Sequence, residues 1–130
     1  MKYANALKFS PKSMGRMKGF ALKNVREGFG IPYGAFATVK DDIKWQRQEK
    51  TLHKLDTLPI GATVPIYCQP KLHSTSRYGF VFVLTSSGKI YADGKRIKNT
   101  KDYIERMKLS FKLYWGEYCD GRRVVYKEEA

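Results

Sequence analysis

Residues 78–84, Tyr-Gly-Phe-Val-Phe-Val-Leu, form a nearly continuous apolar run. Such a run is typical of a strand in the middle of a sheet, because a central strand is buried on both of its faces. A turn is expected directly after it, at Ser86-Ser87-Gly88. The run therefore predicts a central strand, and the rest of a sheet must be found on either side of it.

Further strand patterns lie after this run. Residues 89–92 and 95–97 predict two short strands, joined by a tight turn at Asp93-Gly94. From Leu109 to Trp115 apolar and polar residues alternate, as in a strand with one buried face. Asp120-Gly121 then predicts a hairpin whose second strand returns through residues 124–126.

One strand is expected before the run. Residues 63–68 alternate, with Val64, Ile66 and Cys68 on one side. Pro65 lies within this segment, and proline cannot donate a ladder hydrogen bond. The pattern therefore predicts an edge strand here.

Helices are predicted in three places. Residues 10–28 carry apolar residues at helical spacing behind Ser10, which can cap a helix; the alternative is a basic arm that orders only on its partner. Asp41-Asp42 predicts the start of a short helix towards Leu55, and Thr100 is expected to cap a third helix.

Together these elements predict an α+β fold, with a small, mainly antiparallel sheet or open barrel of five or six strands and two or three short helices. The 130 residues suit a single domain over 1–130, with a basic helix or arm at 1–28 and a β-rich body at 58–127. No apolar run approaches the roughly 20 residues of a membrane-spanning helix, and the start lacks a secretory signal. We therefore expect a cytoplasmic protein with no membrane partner. The sequence does not determine its oligomeric state.

The basic residues are concentrated at one end of the chain. The first 26 residues hold seven lysines and arginines and no carboxylate, whereas the remainder holds eighteen basic and twelve acidic residues, for a net charge of +13. Phosphate backbones bind such segments by Coulomb attraction and counterion release. The favoured partner is therefore a nucleic acid, bound with weak sequence specificity.

The aromatic content favours single strands over duplex. The chain has nine tyrosines, seven phenylalanines and two tryptophans, many of them beside lysine or arginine, and aromatic rings stack on unpaired bases. If Leu113 and Trp115 face the core, Lys112 and Tyr114 point outward together. We expect the binding face to combine the basic N-terminal segment, the basic turns and these aromatics. The predicted nucleic-acid-binding residues are Lys12, Arg16, Lys18, Lys23, Arg26, Arg77, Tyr78, Lys95, Arg96, Lys98, Lys112, Tyr114, Arg122 and Arg123.

The string Tyr78-Gly79-Phe80-Val81 resembles the aromatic strand of RNA-recognition motifs, in which aromatics flank a glycine. The companion strand at 66–68 precedes it by too few residues for the helix that normally intervenes in that family. A core strand rich in aromatics is the favoured interpretation of this string.

Two other functions stay open. The basic face suits a protein-directed effector or inhibitor, of the kind that phages encode, bound to an acidic surface of a host protein. A metal-independent ribonuclease or phosphoesterase would use His53, His73 and Arg77. His73-Ser74-Thr75 resembles half of the paired His-x-Thr signature of two-histidine phosphoesterases, but His53-Lys54-Leu55 lacks the hydroxyl residue. A binding protein is therefore favoured over an enzyme.

No metal or cofactor is expected. His53, Cys68, His73 and Cys119 are separated by 15, 5 and 46 residues, without the close pairs that zinc sites draw on. Buried thiols are the simplest interpretation of both cysteines, and a bridge between them stays open.

Overall fold

The computed structural model of the protein describes residues 2–59, 61–71 and 78–128. Three α-helices and ten strands lie within these ranges. The helices are α1 (Ala21–Gly28), α2 (Val39–Glu49) and α3 (Thr100–Ser110). The strands are β1 (Tyr3–Asn5), β2 (Leu52–Lys54), β3 (Val64–Pro70), β4 (Phe80–Leu84), β5 (Ile90–Ala92), β6 (Lys95–Ile97), β7 (Phe111–Gly116), β8 (Tyr118–Cys119), β9 (Arg122–Arg123) and β10 (Val125–Lys127).

The main sheet has six antiparallel strands in the order β2-β7-β3-β4-β5-β6. Strands β1 and β10 form one small sheet, and β8 and β9 form another. The α+β prediction with a mainly antiparallel sheet is confirmed. Strand β4 lies inside the sheet, and its Val81, Phe82 and Val83 are fully buried, as the apolar run predicts.

Each face of the sheet is covered by a separate apolar core. Helix α1 packs on β4 and α2 packs on β2 and β3, so Tyr67, Val81 and Val83 are buried beneath them. Helix α3 and the β1–β10 pair cover the other face, where Phe82 and Trp115 lie. The described residues include no helix with the length and apolar character needed to cross a membrane.

The edge-strand prediction for residues 63–68 is wrong. Strand β3 pairs with β4 on one side and with β7 on the other, which makes it central. The ladder between β3 and β7 begins at Ile66, one residue after Pro65. The missing N–H of Pro65 therefore removes no hydrogen bond from that ladder.

The predicted helix at 10–28 is interrupted. Residues Pro11–Ser13 form a short 3₁₀ turn, and α1 begins only at Ala21. Gly19 has a φ of 85°, a left-handed conformation that ends any helix reaching it from the N-terminal side. The segment before α1 nevertheless packs on the fold, because Met14 is buried and the Phe9 ring contacts Phe29.

The other two helices differ from prediction at their ends. Thr38 caps α2, which ends at Glu49, so β2 occupies residues that the pattern assigned to a helix. Asn99, and not Thr100, caps α3, because its side chain accepts a hydrogen bond from Asp102 N. The two Asp-Gly turns are confirmed, with positive φ at Asp93 and Asp120. The second hairpin returns through β9 and not through residues 124–126 as predicted, because β10 pairs with β1.

Candidate functional site

The exposed face of α2 carries three cations, Lys40, Lys44 and Arg47, which we call the α2 stripe. Their spacing of four and three residues places them on one side of a helix. The opposite side of α2 buries Ile43 and Gln46 against the sheet, which fixes the direction of the stripe. All three cations are consequently held at the surface by the packing of the helix.

The α2 stripe borders an open groove of about 720 Å³, whose other wall is the end of β3 with Gln69 and Lys71. Arg47 Nη2 donates a hydrogen bond to Gln69 Oε1 at 2.8 Å, and the Arg47 guanidinium lies 5.2 Å from the centroid of the Tyr114 ring. Lys112 is the cross-strand partner of Gln69 and so shares its face of the sheet. We call the α2 stripe with Lys71 and Lys112 the basic groove.

The charges of the basic groove are largely uncompensated. Asp41 is the only carboxylate that lines the groove among the described residues. Within the same ranges, none of its five cations lies within 4.0 Å of a carboxylate oxygen. The positive potential of this surface is therefore available to an external anion.

A second depression, which we call the aromatic cleft, lies between the start of α1, the loop before α2 and the start of β4. Its volume is about 640 Å³, and four aromatic residues are among those that line it, namely Phe20, Phe36, Tyr78 and Phe80. Phe20 is 52% exposed and Tyr78 is 64% exposed, which is unusual for large apolar rings of a folded chain. Lys23 and the uncapped first turn of α1 add positive charge at the same place.

Asp120 orders the wall of the aromatic cleft. Its Oδ1 accepts hydrogen bonds from the backbone N–H groups of Ala35 and Phe36 at 2.9 and 2.8 Å, and its Oδ2 lies 3.3 Å from Arg26 Nε. The Asp120 side chain is only 3% exposed. Gly34 permits this arrangement, because a Cβ there would overlap the Asp120 carboxylate. The loop that carries Phe36 is thus fixed by a buried acceptor.

Asp120 is in turn positioned by Asp42, a fully buried carboxylate of α2. Asp42 Oδ2 accepts hydrogen bonds from Asp120 N at 3.0 Å and from the Tyr67 hydroxyl at 2.6 Å, while its Oδ1 accepts from Gln46 Nε2 at 3.0 Å. Burial raises the pKa of Asp42 to about 6, although these hydrogen bonds act in the opposite direction. A polar network therefore connects the underside of the α2 stripe to the aromatic cleft.

The basic groove and the aromatic cleft adjoin each other at the first turn of α2. Thr38 and Val39 line the cleft, and the next residue, Lys40, lines the groove. The Lys40 N–H donates to the backbone oxygen of Tyr78 at 3.0 Å, which joins the two walls directly. The two depressions are consequently neighbours across the first turn of α2.

The structure brings several of the predicted site residues to this surface. Lys112 is exposed and Tyr114 half-buried beside the basic groove, while Leu113 and Trp115 face the core. Lys23, Arg26 and Tyr78 line the aromatic cleft.

Other predicted residues lie elsewhere or are already paired. Arg16 packs against Gly94, which brings it to the β5–β6 hairpin that carries Lys95 and Arg96. Arg123 Nη1 lies 2.9 Å from Glu117 Oε1, and the Arg123 guanidinium lies 4.6 Å from the centroid of the Tyr118 ring. The remaining predicted cations, Lys12, Lys18, Lys98 and Arg122, are exposed, and line neither the groove nor the cleft.

Arg26 acts within the fold as well as in the cleft. Beside its contact with Asp120, its Nη1 donates to the backbone oxygens of Ile31 and Pro32, both at 3.3 Å. The Arg26 guanidinium is therefore less available to an external anion than an unpaired cation would be.

The structure does not test the predicted histidine pair, because only His53 of the two lies among the described residues. His53 Nε2 lies 2.6 Å from Glu117 Oε2, and its ring stacks on Trp115 at 4.3 Å between centroids. It lines neither the groove nor the cleft. His73 and Arg77 lie outside the described residues.

Within the ranges that the structure describes, no group of three or more histidine, cysteine or acidic residues is placed to hold a metal ion. Cys68 and Cys119 are free thiols in the two different cores, and burial raises the pKa of each.

Sequence reasoning missed Lys40, Lys44, Arg47 and Lys71, together with Phe20 and Phe36. The spacing of the α2 stripe is a usable signal once the boundaries of that helix are known. Phe20 and Phe36 give no such signal, because their positions in the lining of the cleft depend on loops that meet only in the folded chain. No family model, no curated protein and no solved structure matches this chain.

Proposed function

We propose that this protein binds single-stranded nucleic acid along the basic groove and the adjoining aromatic cleft. The observation that carries the proposal is the position of five cations beside exposed aromatic residues on adjoining surfaces, with no carboxylate oxygen within 4.0 Å of any of the five among the described residues. Two of them make neutral contacts within the fold, because Arg47 donates to Gln69 and Lys71 Nζ donates to the backbone oxygen of Lys108 at 2.6 Å. This pairing is how proteins hold single strands: cations follow the phosphates, and rings stack on the bases.

The basic groove supplies the electrostatic part of the affinity. Its cations come from α2, from the end of β3 and from β7, so the packed fold holds the backbone positions from which they extend. Arg47 is further oriented by Gln69 and by the Tyr114 ring. Because less side-chain freedom is lost on binding, an oriented guanidinium binds a phosphate more strongly than a free one.

The rings favour a single strand over a duplex. Phe20 and Tyr78 are both exposed and line the cleft, and a base must be unstacked and unpaired to lie against such rings. Phosphate contacts and stacking are both tolerant of sequence, so weak sequence specificity is expected.

The test is fluorescence anisotropy with labelled oligothymidylate of about twelve nucleotides, a length within the usual site sizes. Five phosphate contacts to a single strand predict a fall in affinity of about a hundredfold between about 50 and 200 mM salt. A blunt duplex of the same length should bind more weakly. Absence of binding to the single strand at the lower salt concentration would refute the proposal and leave an acidic protein surface as the partner to test.

A further inference from the structure

We infer that the aromatic cleft takes one unstacked nucleotide of the bound strand, with its base against Phe20 and Tyr78 and a phosphate near Lys23. This inference rests on the proposed function and adds a defined site for a single base to it. The basic groove alone would bind any flexible polyanion. The cleft would increase the affinity only for a polyanion that carries bases.

The dimensions of the cleft suit such a ligand. Small-molecule sites in proteins are typically clefts of about 300–1,000 Å³, and the aromatic cleft has a volume of about 640 Å³. A flat heteroaromatic ring is the apolar group whose stacking on an aromatic side chain is sequence-tolerant and strong. An aliphatic ligand could not stack on the exposed rings of Phe20 and Tyr78 as a flat aromatic base can.

The lining of the cleft includes polar side chains that suit a base. Arg26 and Asp120 lie there, and the carboxylate is occupied by two backbone N–H groups and by the guanidinium. Arg26 uses Nε and Nη1 in these contacts and in its bonds to two backbone oxygens. Its Nη2 has no acceptor among the described residues and so can donate to a carbonyl oxygen of a base.

The surroundings of the cleft indicate that the nucleotide belongs to a longer strand. Lys23 is exposed and pairs with no carboxylate among the described residues. The backbone oxygen of Tyr78 accepts a hydrogen bond from the N–H of Lys40, and Lys40 belongs to the basic groove. The cleft and the groove are therefore adjacent at this point. When one base of a strand lies in the cleft, the neighbouring phosphates of that strand can contact the basic groove. A free mononucleotide lacks these phosphates.

The experiment compares two oligomers of about twelve units with equal numbers of phosphates. One is oligothymidylate and the other is its abasic counterpart, which keeps the sugar-phosphate backbone and lacks every base. Wild type should bind oligothymidylate more tightly. Phe20→Ala and Tyr78→Ala should each weaken binding of oligothymidylate by at least about fivefold and leave binding of the abasic oligomer unchanged.

The chain offers matched controls. Tyr33 is 83% exposed, lies in the loop before α2 and does not line the cleft, so Tyr33→Ala should bind both oligomers as wild type does. Tyr78→Phe retains the ring and should restore most of the affinity. Because Phe20 and Tyr78 are largely exposed, these variants should keep the thermal midpoint of wild type, which excludes unfolding as a cause.

The possible results separate this inference from the proposed function. If wild type binds both oligomers equally, or if Phe20→Ala and Tyr78→Ala bind oligothymidylate as wild type does, the nucleotide site is refuted while the basic groove still stands. If wild type binds neither oligomer at low salt, both proposals fall. Photocrosslinking of 5-bromodeoxyuridine-substituted oligomer should label Phe20 or Tyr78, and labelling confined to residues outside the cleft would also overturn the inference.

Discussion

The hydroxyl of Tyr67, from the middle of β3, donates to the buried carboxylate of Asp42 on α2 at an oxygen–oxygen distance of 2.6 Å. Both residues are completely buried, and the same hydroxyl lies 3.1 Å from the backbone oxygen of Tyr118. This bond joins the helix that carries the α2 stripe to the central strand beneath it. It also holds the carboxylate that receives the backbone N–H of Asp120, and so it supports both parts of the proposed site.

Tyr67→Phe should lower the free energy of unfolding by about 1.5–3 kcal/mol, the usual range for a hydrogen bond to a charged group. The change removes the donor to Asp42 and leaves the carboxylate with two remaining donors. Urea denaturation at neutral pH measures the loss. Tyr114→Phe is the control, because the Tyr114 hydroxyl has no hydrogen-bond partner among the described residues; equal effects of the two changes would contradict the role assigned to Tyr67.

The raised pKa of Asp42 predicts a specific pH dependence of stability. Its pKa is about 6 in the folded protein against an ordinary value of 3.8, so the folded state binds the proton more tightly. The stability contributed by this group is fully present below about pH 4 and is lost as the pH rises through about 6. Asp42→Asn cannot ionise, so the stability of wild type relative to this variant should fall by about 2–3 kcal/mol from pH 4 to pH 7.

Urea denaturation of both proteins across that pH range measures the difference. Asp41→Asn removes one negative charge from the adjacent exposed position of the same helix and serves as the control. A difference between wild type and Asp42→Asn that stays constant with pH would show that the Asp42 carboxyl ionises normally in the folded protein.

The α2 stripe predicts a change in the salt dependence of binding. Replacing Lys40, Lys44 and Arg47 together by glutamine removes three phosphate contacts, so the slope of log affinity against log salt should decrease in magnitude by about 2. Anisotropy titrations of oligothymidylate at several salt concentrations give the slope. Lys101→Gln, on α3 at the other face of the sheet, removes another exposed cation and should leave the slope unchanged.

Gly34→Ala should destabilise the protein by about 1–3 kcal/mol, because the added Cβ overlaps the Asp120 carboxylate that orders the cleft wall. Affinity for oligothymidylate should also fall, since Phe36 is bound to that carboxylate through its N–H. Tyr33→Ala changes an exposed position of the same loop that does not line the cleft, and it should affect neither quantity. Wild-type stability in Gly34→Ala would mean that the loop accommodates the methyl group by shifting away from Asp120.

Much of the sheet could be predicted from local patterns. The run at 78–84 identified a central strand, and the turns at Asp93-Gly94 and Asp120-Gly121 located two hairpins, because their conformations depend on the turn residues alone. The prediction for Pro65 was wrong for a non-local reason: whether a proline interrupts a ladder depends on where the neighbouring strand ends. Strand β2 has only three residues and no pattern of its own, so its pairing with β7 decides its conformation.

Residues of the candidate site could be predicted only where the pattern of a single helix or strand determines their position. Alternation along β7 was enough to place Lys112 and Tyr114 on the same side of the sheet. The neighbours of that pair come from α2, which is about 65 residues earlier in the chain, and packing through Ile43 and Gln46 brings them there. Charge density near the N-terminus favoured residues 2–26, yet only Lys23 and Arg26 of that segment's cations line the cleft.

The two thiols provide an independent reporter for each side of the sheet. Cys119 is sealed beneath α1 and α2, whereas Cys68 is sealed beneath α3, and neither side chain is accessible in the closed molecule. The rate at which a water-soluble reagent alkylates either sulfur therefore reports how often the layer of structure above that thiol opens. The measurement needs no engineered label. Lifting of the helical layer that carries the α2 stripe would be recorded at Cys119 while Cys68 remained protected.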